Sequence, residues 1–482
     1  MHPKPILHFI GILVLVLGLS MGAPLAVSLY CRDGSSAAMA LSMALTSGGG
    51  LFLHLFTRGS GKDTLSHRDG VAMVTLGWVV AALTGTLPYL LSGASPEFTN
   101  AYFESISGFT TTGASVLTDI EGLPRSVLLW RSLTQWFGGM GIIVLSVAIL
   151  PFLGIGGMQL YKAEVPSPVV DKLKPRISDT AKALWKVYIL ITCLEIVLLL
   201  VGGMPLFESV CHAFCTLPTG GFSPMNTSIA HYDSPYFDVV ILVFMLLAGI
   251  NFSLHYRLIK GRAGAFVRDP ECRVFLGIFV IFTLTVALDI YGCVYDSFSE
   301  ALRYASFQVG SVLTTTGFAT ADYAQWPAYA QLILLLAMFL GSMAGSTGGG
   351  MKIMRIMLIV KHAYREVFRL IHPHAVTTVK LGERPVPDEV LNSIWGFFLL
   401  FLGLFVLAAL IMAALGLDMV TAVSSVAATI GNIGPGLGAV GPTCNFLHIP
   451  LEGKWVLIFC MLLGRLEIYT VIVMLAPAYW QK

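Results

Sequence analysis

Four short turns rich in threonine and glycine carry the chemistry that this sequence could perform. We call them turns 1 to 4, at 110–114, 217–221, 314–318 and 431–435; one glycine recurs in them about every hundred residues. A dehydrated monovalent cation needs oxygen atoms in place of its water, and a ring of backbone carbonyls supplies them. Glycine adopts the backbone conformations that turn carbonyls toward one axis, and threonine adds a hydroxyl and a stiff side chain. The four turns therefore predict a cation path.

The segments that must position these turns are apolar enough to cross a membrane. Of the 482 residues, 56% are hydrophobic and only 12% are charged, which is too little charge to coat soluble domains of this length. A spanning helix needs roughly 20 apolar residues, and the first apolar run is too long for a signal peptide. We predict ten spanning helices, near 6–30, 37–57, 71–92, 127–150, 184–203, 236–256, 274–293, 328–343 continuing to about 360, 391–415 and 454–478.

Each turn follows a short amphipathic segment and stands between two of these helices. Eight of the ten helices thereby form four pairs, and the first two stand outside the repeat. We predict an all-α polytopic membrane protein with four M1–pore loop–M2 repeats in a pseudo-fourfold arrangement plus two extra N-terminal helices. M1 and M2 are the membrane-spanning helices before and after each pore loop. The alternative is four ordinary loops with helix-capping glycines. The predicted units are 1–66 for the extra helices and 67–160, 161–262, 263–372 (with a broken second helix) and 373–482 for the repeats.

Charged residues give the predicted orientation. Lysine and arginine cluster after the second, fourth, sixth and eighth helices, whereas the intervening segments carry mainly acidic residues. Because positive segments stay on the cytoplasmic side, both termini are predicted to be cytoplasmic. The acidic outer face would attract cations, and a net charge of +2 gives no reason to expect a nucleic-acid partner. The eight cysteines lack the spacing of a zinc site and are interpreted as small apolar residues.

Several motifs resemble those of a known family. They are SGFTTTGA at 107–114, WRSLTQWFGGMGI at 130–142, KLKPRISDTAKALW at 172–185, GNIGPGLG at 431–438 and GRLEIYTV at 464–471. The layout resembles the Trk/Ktr/HKT superfamily of potassium transporters over nearly the whole chain, and the two extra N-terminal helices make it most similar to the bacterial TrkH type. This resemblance implies potassium uptake across a bacterial inner membrane, with K⁺ bound in a carbonyl-lined selectivity filter and no organic cofactor.

The resemblance also implies which residues form the filter. Its single filter glycine per repeat falls on Gly113, Gly220, Gly317 and Gly434, and some sodium-preferring plant relatives have serine at the first of these positions. Gly113 therefore favours potassium. Pro218 lacks a backbone donor and fixes φ, so turn 2 departs from the common pattern. The implied filter residues are Thr111, Thr112, Gly113, Pro218, Thr219, Gly220, Thr315, Thr316, Gly317, Asn432, Ile433 and Gly434.

A glycine-rich run at 341–350 interrupts the eighth apolar span. Each glycine costs a helix about 1 kcal/mol relative to alanine, so regular helix is not expected there. The alternatives to a functional loop are a plain kink and a phosphate-binding loop, and the latter pattern fails because Met351 follows Gly350. The resemblance implies an intramembrane gate beneath the filter, formed by Gly345, Ser346, Thr347, Gly348, Gly349, Gly350, Lys352 and Arg465.

Arg465 is an arginine inside the last apolar span, where such residues usually face the protein interior or water. The resemblance implies that it acts as an electrostatic barrier to cations near the pore. The alternative is an ion pair between helices, for which Glu467 is the nearest acidic residue.

The resemblance further implies a homodimer in membrane lipid and a separate TrkA-like cytosolic nucleotide-binding ring. The ring would dock on the basic inner face, around 162–186, 257–273 and 361–384. Two other functions stay open: a sodium-permeable, K⁺/H⁺-coupled or K⁺/Na⁺-coupled relative, and an intramembrane enzyme. Ser209 and His212 are the nearest candidates for an enzymatic Ser/His pair; they lie three residues apart, and no buried carboxylate base between helices is expected to accompany them.

Overall fold

A computed structural model describes residues 3–58, 66–148, 177–262, 264–375, 377–382 and 384–481. Within these ranges the protein is almost entirely helical, which confirms the predicted all-α class. The only strands described are Lys380–Leu381 and Arg384–Pro385, which pair antiparallel. The longer helices outside the turns are Pro3–Ser20, Gly22–Cys31, Ser36–Phe56, His67–Gly85, Arg125–Ala148, Ile177–Val201, Pro235–Gly249, Pro270–Ile290, Ala328–Leu340, Ile353–Ile371, Asp388–Ala414 and Leu451–Arg465.

Four short helices lead into the four turns, and we number them with their turns. Short helix 1 is Phe98–Phe109, short helix 2 is Leu206–Thr216, short helix 3 is Phe298–Leu313 and short helix 4 is Met419–Ile430. The last residues of each are buried in the middle of the protein. The remaining helical pieces are brief: Leu87–Leu91, Ser228–Tyr232, Phe252–Ile259, Gly264–Arg268, Tyr323–Gln325, Gly438–Val440, Ile468–Leu475 and Pro477–Trp480.

The membrane-spanning helices follow the sequence prediction only in part. Six helices in the described part are long and apolar enough to cross a membrane, and two further candidates are bent pairs. The pairs are Pro235–Gly249 with Phe252–Ile259, bent by 103°, and Leu451–Arg465 with Ile468–Leu475, bent by 119°. The prediction of continuous helices near 236–256 and 454–478 was therefore wrong. The physical reason is local: the Asn251 side chain caps a new helix, and Glu467 has a φ of 63°.

The eighth predicted span is broken, as the glycine run suggested. Ala328–Leu340 ends at Gly341, and the next helix begins only at Ile353. We call the intervening segment, 341–352, the central loop. Positive φ values at Gly341, Gly345, Gly350 and Lys352 prevent regular helix there.

The two extra N-terminal helices pack against each other through small residues. A side chain at Gly18 would overlap Ser47, and one at Gly50 would overlap Leu15, so the two backbones approach closely. Asp33, in the connection between these helices, accepts hydrogen bonds from the Ser35 hydroxyl and from the backbone and hydroxyl of Ser126. Although burial opposes the charged form, the bonds from Ser28, Ser126 and Ser35 lower the pKa of the Asp33 carboxyl.

The repeats are arranged in a closed ring. Arg125–Ala148 packs against short helices 1 and 2, Pro235–Gly249 against short helices 2 and 3, and Ala328–Leu340 against short helices 3 and 4. Leu451–Arg465 then packs against short helix 4 and returns to short helix 1. This cyclic order confirms the pseudo-fourfold arrangement. The unit boundaries at 66, 262 and 372 stay predictions, and the boundary at 160 lies outside the described residues.

Candidate functional site

The four turns share one backbone conformation. In each of them φ is positive at two residues separated by a single residue, and the residue between them does not have positive φ. Positive φ is costly for residues other than glycine, so the same costly pattern at four places indicates a common constraint. The pairs are Thr111 (52°) with Gly113 (83°), Thr219 (56°) with Gly221 (76°), Thr315 (58°) with Gly317 (84°), and Asn432 (53°) with Gly434 (101°).

The turns meet one another around the ring. A Cβ placed on the last glycine of each turn would overlap or crowd a carbonyl oxygen of the next turn. The glycine-to-oxygen neighbours are Gly113 with Gly220, Gly221 with Thr316, Gly317 with Ile433, and Gly434 with Thr112. The last pair closes the circle, with 2.7 Å between the Cβ position and the oxygen. Only residues without a side chain fit at these four contacts.

The backbone shows that turn 2 matches the other turns with a shift of one residue from the predicted match at Gly220. The glycine that matches Gly113 in φ and in its ring contact is Gly221, whereas Gly220 matches Thr112. Hydrogen bonds agree: the N–H of Thr112 donates to Ser107, and the N–H of Gly220 donates to Cys215, each five residues back. Two adjacent glycines allow either register in sequence, and only the backbone dihedrals decide between them.

This correction also explains Pro218. In the corrected register Pro218 directly precedes Thr219, the first residue with positive φ in turn 2. It therefore corresponds to Thr110 and Thr314, where φ is not positive. Its fixed φ therefore does not disturb the ring.

Side chains from neighbouring helices hold the turns in place. Gln135 donates from Nε2 to the carbonyl of Gly220 at 2.7 Å and accepts from the N–H of Phe222 at 3.1 Å. Asn432 donates from Nδ2 to the Thr112 hydroxyl and to the Met461 carbonyl, both at 2.9 Å. No sequence motif identifies Gln135; the only available signal was a polar residue inside an apolar helix.

A buried ion pair supports the segments that follow turns 1 and 2. The Nε atom of Arg131 lies 2.7 Å from Oε1 of Glu104, and both side chains are almost fully buried. Arg131 also donates to the Ser223 carbonyl at 3.0 Å and stacks over the Phe222 ring, 3.9 Å from its centre. Glu104 accepts from the backbone N–H of Val116 at 3.1 Å. No spacing in the sequence predicts this pair, because its members lie on different helices.

The central loop lies directly against the turns. Its Thr347 hydroxyl donates to the Leu217 carbonyl at 2.8 Å, and the N–H of Gly349 donates to the Thr315 hydroxyl at 2.7 Å. The other predicted gate residues complete the loop: Ser346 donates to the Met343 carbonyl, Lys352 donates to the Gly348 carbonyl, and Gly345 and Gly350 supply positive φ. The structure therefore brings the predicted filter and gate segments into contact.

Comparisons with known proteins agree with this architecture. The family model described as "TrkH: Cation transport protein" matches residues 35–482. The chain belongs to the TrkH family. It is 43% identical to the Trk system potassium uptake protein TrkH of Escherichia coli K12 and 36% identical to TrkG of the same strain. The TrkH alignment covers 100% of both chains, and the TrkG alignment covers 100% of this chain and 99% of the relative.

A solved structure agrees as well. The crystal structure of the potassium transporter TrkH from Vibrio parahaemolyticus matches with a TM-score of 0.92 and 39% identity, and the match covers 100% of both chains. The full-length match confirms the resemblance to the TrkH type and a multi-pass membrane protein.

In this TrkH-family chain, Arg465 joins the central loop to the wall of the ring. Its guanidinium donates to the carbonyl of Thr347 at 2.7 Å and to the carbonyl of Gly138 at 3.2 Å. Both described hydrogen bonds of Arg465 go to backbone carbonyls, and Glu467 pairs with Arg355 at 2.5 Å.

The candidate enzymatic residues are not assembled as a pair. The Ser209 hydroxyl donates to the backbone carbonyls of Met204 and Pro205, so its proton is directed toward the backbone and not toward His212. Nε2 of His212 is hydrogen-bonded to the Tyr232 hydroxyl at 3.1 Å. A serine nucleophile needs its base within hydrogen-bonding reach, and the described contacts direct both groups elsewhere.

Proposed function

We propose that this chain takes up K⁺ through the ring formed by turns 1 to 4. The observation that carries the proposal is the closed set of contacts between each ring glycine and a carbonyl of the next turn. Positive φ at alternate residues turns successive peptide groups toward one side of the chain, as a carbonyl-lined filter requires. The short helices end at these turns, so their C-terminal partial negative charges would also favour a cation.

Potassium is the proposed ion for two reasons. The full-length relatives from Escherichia coli and Salmonella typhimurium carry the name potassium uptake protein. All four ring positions in the corrected register hold glycine, including Gly221, and none holds the serine associated with sodium-preferring relatives. The bound ion would be K⁺ within the ring, with no organic cofactor in the chain.

We propose that the central loop closes this path. Its hydrogen bonds to turns 2 and 3, and the hydrogen bond from Arg465 to the Thr347 carbonyl, support a closed position against the ring. A buried guanidinium beside the path would repel a dehydrated cation. Opening would require the Thr347 and Arg465 contacts to break together.

The proposed setting is a bacterial inner membrane with both termini in the cytoplasm. The proposed partners are a second copy of this chain, in a homodimer, and a separate TrkA-like nucleotide-binding ring in the cytosol. This TrkA-like ring would dock on the basic inner face. Lys182, Lys186, Arg257 and Lys361 are described residues of that face, whereas 162–176 lies outside the described residues. Positive charge on the cytoplasmic side supports the orientation.

Cation flux into liposomes tests the proposal. Purified chain would be reconstituted, and uptake of K⁺, Rb⁺ and Na⁺ compared with empty liposomes and with a variant lacking 345–350. We expect K⁺ and Rb⁺ uptake well above Na⁺ uptake, and faster uptake in the loop-deleted variant. Absence of K⁺ and Rb⁺ flux in both proteins would refute the ion path, and equal Na⁺ flux would refute potassium selectivity.

A further inference from the structure

Glu271 accepts hydrogen bonds from the central loop and from the helix that follows it. It lies in the first turn of Pro270–Ile290 and is fully buried. Its Oε1 atom accepts from the N–H of Ala344 at 2.8 Å and from the N–H of Met354 at 3.1 Å. Ala344 belongs to the loop, and Met354 is the second residue of the helix Ile353–Ile371 after it. One carboxylate oxygen therefore joins the two chain segments at Ala344 and Met354, which we call the two sides of the loop base.

An acidic residue in the first turn of a helix is commonly explained by the helix dipole. That explanation does not suffice here, because Asp269 already caps this helix by accepting from the N–H of Cys272 at 2.9 Å. The hydrogen bonds of Glu271 go to another part of the chain. Its second oxygen, Oε2, is buried and has no hydrogen-bond partner among the described residues. A buried carboxylate with one unsatisfied oxygen is costly, which suggests a role beyond helix capping.

The central loop needs such an external support. Lys352 has a φ of 71°, an unfavourable conformation for a residue with a side chain, and Gly341, Gly345 and Gly350 also have positive φ. A segment in this conformation persists only where surrounding contacts hold it. At the two ends of the loop, the N–H of Ile353 donates to the Ser342 carbonyl at 3.0 Å and the N–H of Met351 donates to the Phe339 carbonyl at 3.3 Å. The Glu271 carboxylate adds a side-chain cross-link to these two backbone bonds.

We propose that Glu271 is a positioning residue that holds the central loop in its closed conformation by accepting two backbone hydrogen bonds. This inference rests on the proposed function of the loop as a gate. The described hydrogen bonds of Glu271 go to Ala344 and Met354 and not to the four turns, so we expect it to act on the gate and not on ion selection. Loss of the acceptor frees both sides of the loop base, and the loop then opens more often.

Three variants of the full chain separate this role from others. Glu271→Ala removes the acceptor, and Glu271→Gln keeps an amide oxygen that can accept both N–H groups without the charge. Asp289→Ala is the matched control, because Asp289 lies on the same helix and accepts from the N–H of Ala330 at 3.1 Å, away from the loop. If Glu271→Ala does not yield folded protein, Glu271→Asp takes its place, since the shorter side chain withdraws the oxygen.

The first readout is basal K⁺ flux in liposomes without any partner protein. We expect Glu271→Ala to raise it about tenfold, which corresponds to the net loss of one to two hydrogen bonds. The K⁺/Na⁺ selectivity should stay as in the wild type. Glu271→Gln and Asp289→Ala should stay within about threefold of the wild-type flux.

The second readout is amide hydrogen exchange of peptides covering 341–355, which does not depend on transport. We expect about tenfold faster exchange in Glu271→Ala and wild-type exchange in the other two variants. Wild-type exchange in Glu271→Ala would overturn the proposal, as would equal acceleration in Asp289→Ala or Glu271→Gln. If exchange changes as expected but neither the wild type nor the loop-deleted chain carries K⁺, the proposed transport function fails while the anchoring role stands.

Discussion

Alanine substitution of two adjacent glycines tests the corrected register of turn 2. A Cβ on Gly221 would overlap the Thr316 carbonyl oxygen and lie 3.0 Å from its carbon, whereas unstrained carbon contacts begin near 3.5 Å. Alanine at a φ of 76° adds about 1–2 kcal/mol of backbone strain. The Thr316 carbonyl must therefore move by about 0.5 Å or more, and it belongs to the proposed filter.

At Gly220 the obstruction is a side chain instead. An added Cβ would crowd the Gln135 amide, and two hydrogen bonds of Gln135 would be strained, worth about 1 kcal/mol each. Gln135 can withdraw without moving a neighbouring turn. Gly220→Ala should thus lower stability more than it lowers selectivity.

The assay is the ratio of K⁺ to Na⁺ flux in liposomes, with thermal unfolding in detergent as a check on folding. We expect Gly221→Ala to reduce the ratio at least about tenfold, because a free-energy change of about 1.4 kcal/mol corresponds to that factor. Gly220→Ala should change it less than about threefold. A larger loss of selectivity in Gly220→Ala than in Gly221→Ala would refute the corrected register.

Three further substitutions test contacts outside the four turns. Glu104→Ala leaves Arg131 buried without its carboxylate and should lower the free energy of unfolding by about 3–5 kcal/mol. As a control, breaking the exposed Arg369 pair with Glu366 should lower it by less than about 1 kcal/mol. Similar losses in the two cases would contradict this prediction. Arg465→Ala should raise basal K⁺ flux several-fold, because the Thr347 carbonyl loses its donor; unchanged flux would argue against a gate. Asp33→Asn should lower the melting temperature at pH 7, and the difference from wild type should shrink as the pH falls below about 4.

The sign of the Asp33 effect follows from its lowered pKa. A carboxyl whose folded-state pKa lies below its unfolded value stabilises the protein above the unfolded value and loses that contribution as the pH falls. Melting curves at pH 7 and at pH near 3 would show it. A melting-temperature difference that does not change with pH would contradict the assigned hydrogen bonds.

Sequence reasoning succeeded where a local pattern has a single structural meaning. The long apolar runs predicted helices because lipid leaves no other way to pair the backbone, and the described helices Pro3–Ser20, Pro270–Ile290 and Asp388–Ala414 follow them. The glycine run correctly predicted a break in the eighth span. It could not show that Thr347 would contact turn 2, since that contact joins residues far apart in the chain.

The failures have a common cause. The bends after Ile250 and Leu466 lie inside apolar runs, where hydropathy does not register a change of direction. Glu271, Gln135 and Arg131 are single polar residues whose partners lie in distant segments of the chain, so no spacing in sequence identifies them.

The sequence by itself determined the membrane class, the number of turns and the residue types that can line a cation path. Those features depend on hydropathy and on glycine chemistry, which are properties of short segments. The tertiary structure alone decided the register of turn 2, because Gly220 and Gly221 are equivalent until the neighbouring turns fix their φ. It also decided that Arg465 donates to the Thr347 carbonyl of the central loop and that Glu467 pairs with Arg355, because both contacts join residues far apart in the chain.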